Sequence, residues 1–411
     1  MTIFTKPIDK ITYQDVIDFC QKSISEGVFL DYKADFPPDN EKLAKTIVAF
    51  ANTQGGVLLI GVNEKDCKPV TPFEGIHYRD KLQERVEDII LGNVRPPVFS
   101  EIQVVPNSDK SKAFVVIRIP QSNDAHYLNT DKAVYVRTGS SSHPEEVASP
   151  EQIEWLMDRR KRSVELREQI RFKAEERFSN ACSLYSIGKE GLKGLCSVSI
   201  MPLYPQKPLT TYQEVPKIIE KIKTHSNYFG TGYPFYFYEA KRVQGGISQF
   251  GKAEEAAKHF SFLHFWELNH FGFFLHKECI VAEMPNMLGI AGQEKPKIPE
   301  ITEPKIISLI CLSFKTALKF YKELGYWGVL RFQLRIENIL GAIPPIRGLY
   351  RSDSCKIIDN DIQFSREFSF KELEDNLENI VTGILHEVFW SIGVQKEEEN
   401  IKDLIRKVEP L

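Results

Sequence analysis

The sequence predicts a two-domain protein, α/β grading into α+β: a mixed-sheet first domain, a connecting helix and a second α+β domain. Three observations carry that reading. The chain has 411 residues, more than one hydrophobic core usually organises. Over residues 1–148, apolar positions switch repeatedly between a helical period of about 3.6 residues and short continuous runs, the pattern of helices packed on a sheet. Residues 149–180 then form one densely charged helical stretch, after which aromatic-rich strand patterns recur through residues 181–411.

In "YQDVIDFCQKSI", Val16, Ile17, Phe19, Cys20 and Ile24 have helical spacing, and Glu26-Gly27 breaks the helix. "VFLDYKADF" follows as a strand that "PPDN" closes. Asn40 is placed to cap the next helix, "EKLAKTIVAFANTQ", with Leu43, Ile47, Phe50 and Ala51 on its apolar face. Gly55-Gly56 supplies a tight helix-to-strand turn, and "VLLIGV" is continuously apolar, as a central strand requires. A third helix is expected over residues 78–92, ended by Pro96-Pro97. Strands over about 98–106 and 112–119 flank the polar turn "NSDKSK", and "AVYVRTGSS" runs from a strand into a glycine-serine turn. Ser149, Pro150 and Gln152 form a helix start with a capping box, and that helix extends to about Phe178. Beyond it, "GLCSVSIMPLY", "FYFYEAKRV", "SFLHFWELNHFGFFLH" and "WGVLRFQLRIENIL" read as strands. "YQEVPKIIEKIKTH", "PKIISLICLSFKTALKFYKELG" and "FKELEDNLENIVTGILHEVFWSIG" read as helices, and the charged tail "VQKEEENIKDLIRKVEPL" as a frayed helix.

Composition excludes several classes. At 42% hydrophobic and 27% charged, the chain reads as globular, and no apolar run reaches the roughly 18–20 residues that span a bilayer, so no membrane role is expected. The start "MTIFTKPIDKITYQD" has no apolar core of a secretory signal. Seven cysteines without a CxxC pair argue against structural zinc and a disulfide framework, and for reduced thiols in the cytoplasm. No HExxH spacing occurs, and His264 and His270 read as core or surface residues. A net charge of -3 excludes a general nucleic-acid coat but leaves room for a local basic groove. No Walker A loop is present, which argues against P-loop ATP hydrolysis.

The chemistry concentrates in "EGVFLDYK". Asp31 and Lys33 are two residues apart on a strand and share a face, while Leu30 and Tyr32 point to the other. Alone, the pair reads as a surface salt bridge contributing roughly 0–1 kcal/mol. Two features favour a site. The strand lies early in an α/β unit and reads as internal, where unpaired charge is costly. "VLLIGV" ends in "NEKD", so Asn63, Glu64 and Asp66 stand at a strand's carboxyl end, the side where open α/β sheets bind ligands. A third oxygen ligand from there would join Glu26 and Asp31. Such groups repel one another unless a divalent cation joins them, and hard oxygen donors suit Mg²⁺ or Mn²⁺. That ion could activate water against a phosphodiester, and Lys33 could stabilise the charge developing on phosphate. Arg137 either pairs with a core acid or clamps a phosphate, and Ser140 either donates to phosphate or only forms the turn. Arg159, Arg160, Lys161 and Arg162 read either as a solvated helix face or as phosphate contacts.

"EGVFLDYK", "LAKTIVAFANTQGGVLLIGVNEKDCKPV" and "YVRTGSSS" resemble, in this order, the three signatures of the Schlafen-type AlbA-like domain family, over roughly residues 13–148. The resemblance implies an AlbA-like mixed sheet in the first domain. The domain is often labelled ATP-binding or DNA-binding, and the similar Schlafen proteins are endoribonucleases acting on tRNA and rRNA through three acidic residues. By position, Glu26 and Asp31 match the first two acids, and Glu64 in "NEKD" is the choice for the third, giving Glu26, Asp31 and Glu64 as implied metal ligands. Two departures stand out: Asp31 is one methylene shorter than the commoner Glu, and Asn63 occupies a position where Asp is common.

The expectation is a metal-dependent endonuclease, using Mg²⁺ or Mn²⁺ on tRNA or other structured RNA, in a prokaryotic antiviral role. Schlafen proteins surround RNA with two AlbA-like lobes, and one is visible here, so a homodimer or the C-terminal domain is expected to complete the groove. The alternative is a non-catalytic nucleotide- or nucleic-acid-binding regulator. A third reading is a sensing module in which the C-terminal domain binds a partner.

Overall fold

Where a computed structural model describes the chain, it covers residues 2–411 except 7, 139–143, 189–191, 223, 226–231, 234–239, 254–261, 286–296, 327 and 346–355. The chain divides into two units, Met1–Ser163 and Val164–Leu411, each with its own core. In the first, the elements run α1 (Thr2–Thr5), α2 (Tyr13–Cys20), β1 (Leu30–Lys33), α3 (Asn40–Asn52) and β2 (Gly56–Ile60). A short hairpin, β3 (Glu64–Lys65) and β4 (Lys68–Pro69), leads to β5 (Ile76–His77), α4 (Leu82–Asn93) and β6 (Val94–Arg95). Then come β7 (Glu101–Pro106), β8 (Lys112–Ile119), β9 (Tyr127–Leu128), β10 (Tyr135–Arg137), β11 (Glu145–Val147) and α5 (Pro150–Leu184), within which the two units divide.

Period-2 alternation places two cores on the two faces of one sheet. β1 and β2 are parallel, joined through α3, with Leu30 beside Val57 and Lys33 beside Ile60; β2 then pairs antiparallel with β8, which also pairs β5 and β7. Leu58, Ile60, Val115 and Ile117 pack under α3 and α4, while Leu30, Tyr32, Val57, Leu59 and Val116 pack with Val16 and Phe19 of α2. Thr12 and Asp15 form a capping box at α2. At α3 the cap is Asp39, whose side chain accepts from Glu41 N at 2.9 Å, so the expected cap at Asn40 is off by one. The first strand is also shorter than its apolar run, because Phe36 folds away into the α3 side of the core.

The second unit is an antiparallel sheet between helices. In chain order it has β12 (Leu195–Pro202), α6 (Val215–Ile222), β13 (Thr224–His225), β14 (Gly232–Tyr233), β15 (Lys241–Val243), β16 (Gly246–Ala253), β17 (Phe262–Asn269) and β18 (Phe274–Cys279). There follow β19 (Val281–Pro285), β20 (Lys297–Ile301), α7 (Glu303–Leu324), β21 (Val329–Glu337), β22 (Ile362–Ser369), α8 (Phe370–Asp375), α9 (Leu377–Ser391) and α10 (Glu398–Val408). The sheet order is β15-β16-β17-β18-β12-β21-β22. α6, α7, α9 and α10 cover one face; Ile170, Ala174, Phe178 and Cys182 of α5 pack on the other. "SFLHFWELNHFGFFLH" is two strands rather than one run, turned at Gly272, whose φ of 81° suits glycine. The tail is not frayed: α10 buries Ile401 and Ile405, with Glu398 and Glu399 in its first turn and Arg406 and Lys407 in its last, complementing the helix dipole. Among the described residues no helix is long and apolar enough to cross a membrane, and Cys20, Cys67, Cys182, Cys196, Cys279 and Cys311 are free thiols.

Candidate functional site

The site grows from the segment that enters β1. Glu26 Oε1 accepts the Tyr32 N–H at 2.6 Å, which folds the half-buried carboxylate back along the strand. Gly27 N donates to Leu30 O at 3.0 Å, closing a tight turn. Arg137, on β10, reaches into this turn. Its Nη2 donates to Gly27 O at 2.6 Å, its Nη1 meets Asp31 Oδ2 at 2.7 Å and Glu145 Oε1 at 3.4 Å, and its guanidinium lies 4.4 Å over the Phe50 ring. The other Asp31 oxygen accepts from the Lys33 ammonium. Asp31 is therefore buried, 2% exposed, and both of its oxygens are held by cations.

The motif after α3 holds β10 in place. Asn52 Nδ2 donates to Tyr135 O and to His126 O, both at 2.8 Å, and Thr53 Oγ1 accepts the Arg137 N–H at 2.8 Å. Gly55 has φ 69°, and a Cβ there would lie 2.6 Å from the backbone of Ile119 and Gln121, so only glycine allows α3 to turn into β2.

"NEKDCKP" folds as the β3–β4 hairpin. Its two central residues, Asp66 and Cys67, have φ of 53° and 60°, as in a type I′ turn. Glu64 Oε2 accepts Cys67 N at 3.1 Å, and Cys67 O accepts the Glu26 N–H at 2.7 Å, which docks the hairpin against the lead into β1. Glu26, Glu64 and Cys67 each bring one donor atom to a common region, all within 4.8 Å of one another. Burial, together with the nearby charges of Asp31 and Glu64, raises the Glu26 pKa above its ordinary value, against the lowering pull of the Tyr32 N–H and Lys33.

The structure thus brings Glu26 and Glu64 together, and the third group to join them is Cys67 rather than Asp31. Lys33 stands beside Asp31, its side chain one-third exposed. Asn63 and Asp66 are exposed. Of the two readings of Arg137, the structure has it paired with the core acid Asp31, and Arg159, read as a solvated or phosphate-contacting side chain, turns inward. Arg159 donates to Ser122 O and Asn52 O at 2.8 and 2.9 Å, and burial, with Arg162 nearby, lowers its pKa to about 10. Arg160 is exposed and pairs with Asp124 at 3.1 Å, and Lys161 is exposed. Ser140 lies outside the described residues. Cys67 was missed because Asp-Cys is not a turn dipeptide that sequence flags; the only hint was its place between charged residues just past a strand.

Residues 26–146 match the family described as Schlafen, AlbA_2. The first unit carries a Schlafen AlbA_2 domain. The match begins at Glu26 and ends one residue beyond Glu145, so it contains Glu26, Asp31, Asn52, Thr53, Glu64, Cys67, Arg137 and Glu145, while Arg159 lies beyond it. A match to this family over the first unit supports a nucleic-acid-related function. No curated protein matches the chain. Among solved structures, the chain has a likeness to the DIP2311 protein from Corynebacterium diphtheriae, with a TM-score of 0.24 and 15% identity, over 34% of this chain and 30% of that one. The match spans less than a third of that protein and carries no functional weight.

Proposed function

We propose that the Schlafen AlbA_2 domain is a divalent-metal-dependent endonuclease acting on RNA, with tRNA or another structured RNA as substrate. The observation that carries this reading is the convergence of Glu26, Glu64 and Cys67 beside Lys33. The donor set fits a divalent ion: two carboxylates offer hard oxygens that suit Mg²⁺ or Mn²⁺, and the thiol is better tolerated by Mn²⁺, the softer of the two. Bound there, the ion would polarise a phosphate oxygen and supply hydroxide at neutral pH. Glu26 and Glu64 hold the ion, and Lys33 offers its ammonium to the charge that grows on phosphate. Asp31 and Arg137 act as positioning residues: they fix the turn that presents Glu26.

The test is cleavage of purified tRNA, rRNA and single-stranded DNA with Mn²⁺ or Mg²⁺. RNA should be cut with metal, and Glu26→Gln and Glu64→Gln should each abolish cutting. Intact RNA with both metals would sink the reading. One observation favours a second reading, a nucleic-acid binder without catalysis: of the three implied acids, Asp31 has both oxygens engaged by cations. Under that reading the domain binds RNA, and Glu26→Gln leaves every property unchanged.

A further inference from the structure

We propose that Zn²⁺ displaces Mn²⁺ from the Glu26–Glu64 site and that Cys67 is the ligand that decides between the two ions; this rests on that site holding a divalent ion. Among the described residues, only Glu26, Glu64 and Cys67 form a group of three potential ligands whose donor atoms converge, all within 4.8 Å of one another. They come from two segments that are already tied together, because Cys67 O accepts the Glu26 N–H at 2.7 Å. Each carboxylate has one oxygen held by a backbone N–H: Glu26 Oε1 by Tyr32 N at 2.6 Å, and Glu64 Oε2 by Cys67 N at 3.1 Å. Each therefore offers its second oxygen, one donor apiece, while both oxygens of Asp31 are engaged by Lys33 and Arg137.

Two single oxygens and one sulfur make the three protein ligands of a tetrahedral Zn²⁺ with its fourth place open. A thiolate selects Zn²⁺ over harder ions, and sites of this kind hold Zn²⁺ more tightly than Mn²⁺ in any case. Donors about 2.0–2.3 Å from zinc stand about 3.3–3.7 Å apart. The exposed Glu64 and half-buried Cys67 side chains can rotate to close the difference. As it ligates, the Cys67 thiol gives its proton to solvent. Exchange of the ions would also stop the proposed reaction, which needs a phosphate oxygen and a hydroxide on the ion together. An octahedral Mn²⁺ with three protein ligands has three places for them, whereas a tetrahedral Zn²⁺ has one. Zn²⁺ therefore fills the site without assembling the reaction, and available zinc sets how much of the domain is active.

The experiment titrates Zn²⁺ and Mn²⁺ separately into the metal-free full chain by calorimetry and follows Mn²⁺ release by electron paramagnetic resonance, with Co²⁺ as a coloured stand-in for Zn²⁺. About one equivalent of Zn²⁺ should release bound Mn²⁺, and Co²⁺ should give a sulfur-to-cobalt charge-transfer band. In Cys67→Ser that band should vanish and Zn²⁺ affinity should fall about a hundredfold or more, since losing even an outer-shell partner of a metal costs roughly 10–100-fold. Mn²⁺ affinity should fall by less than about tenfold, because a harder ion gains less from sulfur. Cys67→Asp, a change to a residue type that tolerates the φ of 60° at this position, should hold Mn²⁺ at least as tightly as the unaltered chain and still bind Zn²⁺ more weakly. Equal losses for the two ions in Cys67→Ser, Zn²⁺ affinity within about twofold of the unaltered chain, or a Co²⁺ complex without the band overturns the proposal. RNA cleavage in Mn²⁺ that an equivalent of Zn²⁺ leaves at full rate also overturns it, with the nuclease reading left standing. Cys67-dependent Zn²⁺ binding that displaces Mn²⁺, in a chain that cuts no RNA, instead sinks the nuclease reading alone.

Discussion

Arg137→Met removes the main cation that neutralises Asp31 inside the first unit. Both side chains are buried, 1% and 2% exposed, and their contact is 2.7 Å. Stranding a buried charge in this way costs about 3–5 kcal/mol. Lys33, the other partner, is one-third exposed and screened by solvent, so Lys33→Met should cost less than about 1 kcal/mol. The two readings of Arg137 are separated by the double variant Asp31→Leu/Arg137→Met, which leaves no stranded charge. It should be more stable than Arg137→Met alone, with a coupling energy of about 2 kcal/mol or more. Urea denaturation followed by circular dichroism gives all four corners of the cycle. The reasoning fails if Arg137→Met costs no more than Lys33→Met, or if the two single changes simply add.

Two pH effects follow from burial. Because the Glu26 pKa is raised, it takes up a proton at a higher pH than an ordinary carboxylate, so Mn²⁺ affinity should fall as pH drops through that raised value. Glu64→Gln removes one of the charges that raise it and should lower it, as read by NMR titration of the Glu26 carboxyl without metal. In the second unit, burial raises the Glu278 pKa to about 7, against the pull of Lys305 at 3.8 Å. Between the ordinary 4.5 and about 7 the folded chain holds this proton and the unfolded chain does not. Its contribution is therefore full below the ordinary pKa and is lost as pH rises through the folded one, by about 3 kcal/mol in all. Glu278→Gln should flatten that slope and be the more stable form at alkaline pH; thermal melts across the pH range that show no difference would refute the assignment.

Local rules read much of the first unit. α2 followed from its apolar spacing and the α5 start from its capping box, in which Ser149 and Gln152 bond reciprocally; the Thr12–Asp15 box at α2 went unread. β2 followed from its apolar run, and the turn before it from Gly55. What stayed hidden depended on contacts distant in sequence. Arg137 lies 106 residues from Asp31, and no spacing tells whether a strand arginine faces solvent or a buried acid. The same holds for Arg159, which looks like its exposed neighbours Arg160 and Lys161 but sits on the inward side of α5. In the second unit, β16 was missed because Gly246 and Gly251 dilute its apolar pattern, and β22 because it is an edge strand with charged residues at its centre. The tail helix was discounted for its charge, although Ile401 and Ile405, four apart, mark the stripe that docks.

The network around Arg137 changes what the three signatures mean. The first supplies Asp31, the second supplies Asn52 and Thr53, and the third supplies Arg137 itself, so the three motifs are one knot of hydrogen bonds. Residues in such a knot are constrained by one another, and a change at any one must be answered at its partners. The knot can therefore persist in a chain whatever reaction that chain performs. The motifs that mark the family thus record how the domain is tied together, while Glu64 and Cys67, at the end of the second motif, sit on the β3–β4 hairpin outside that knot.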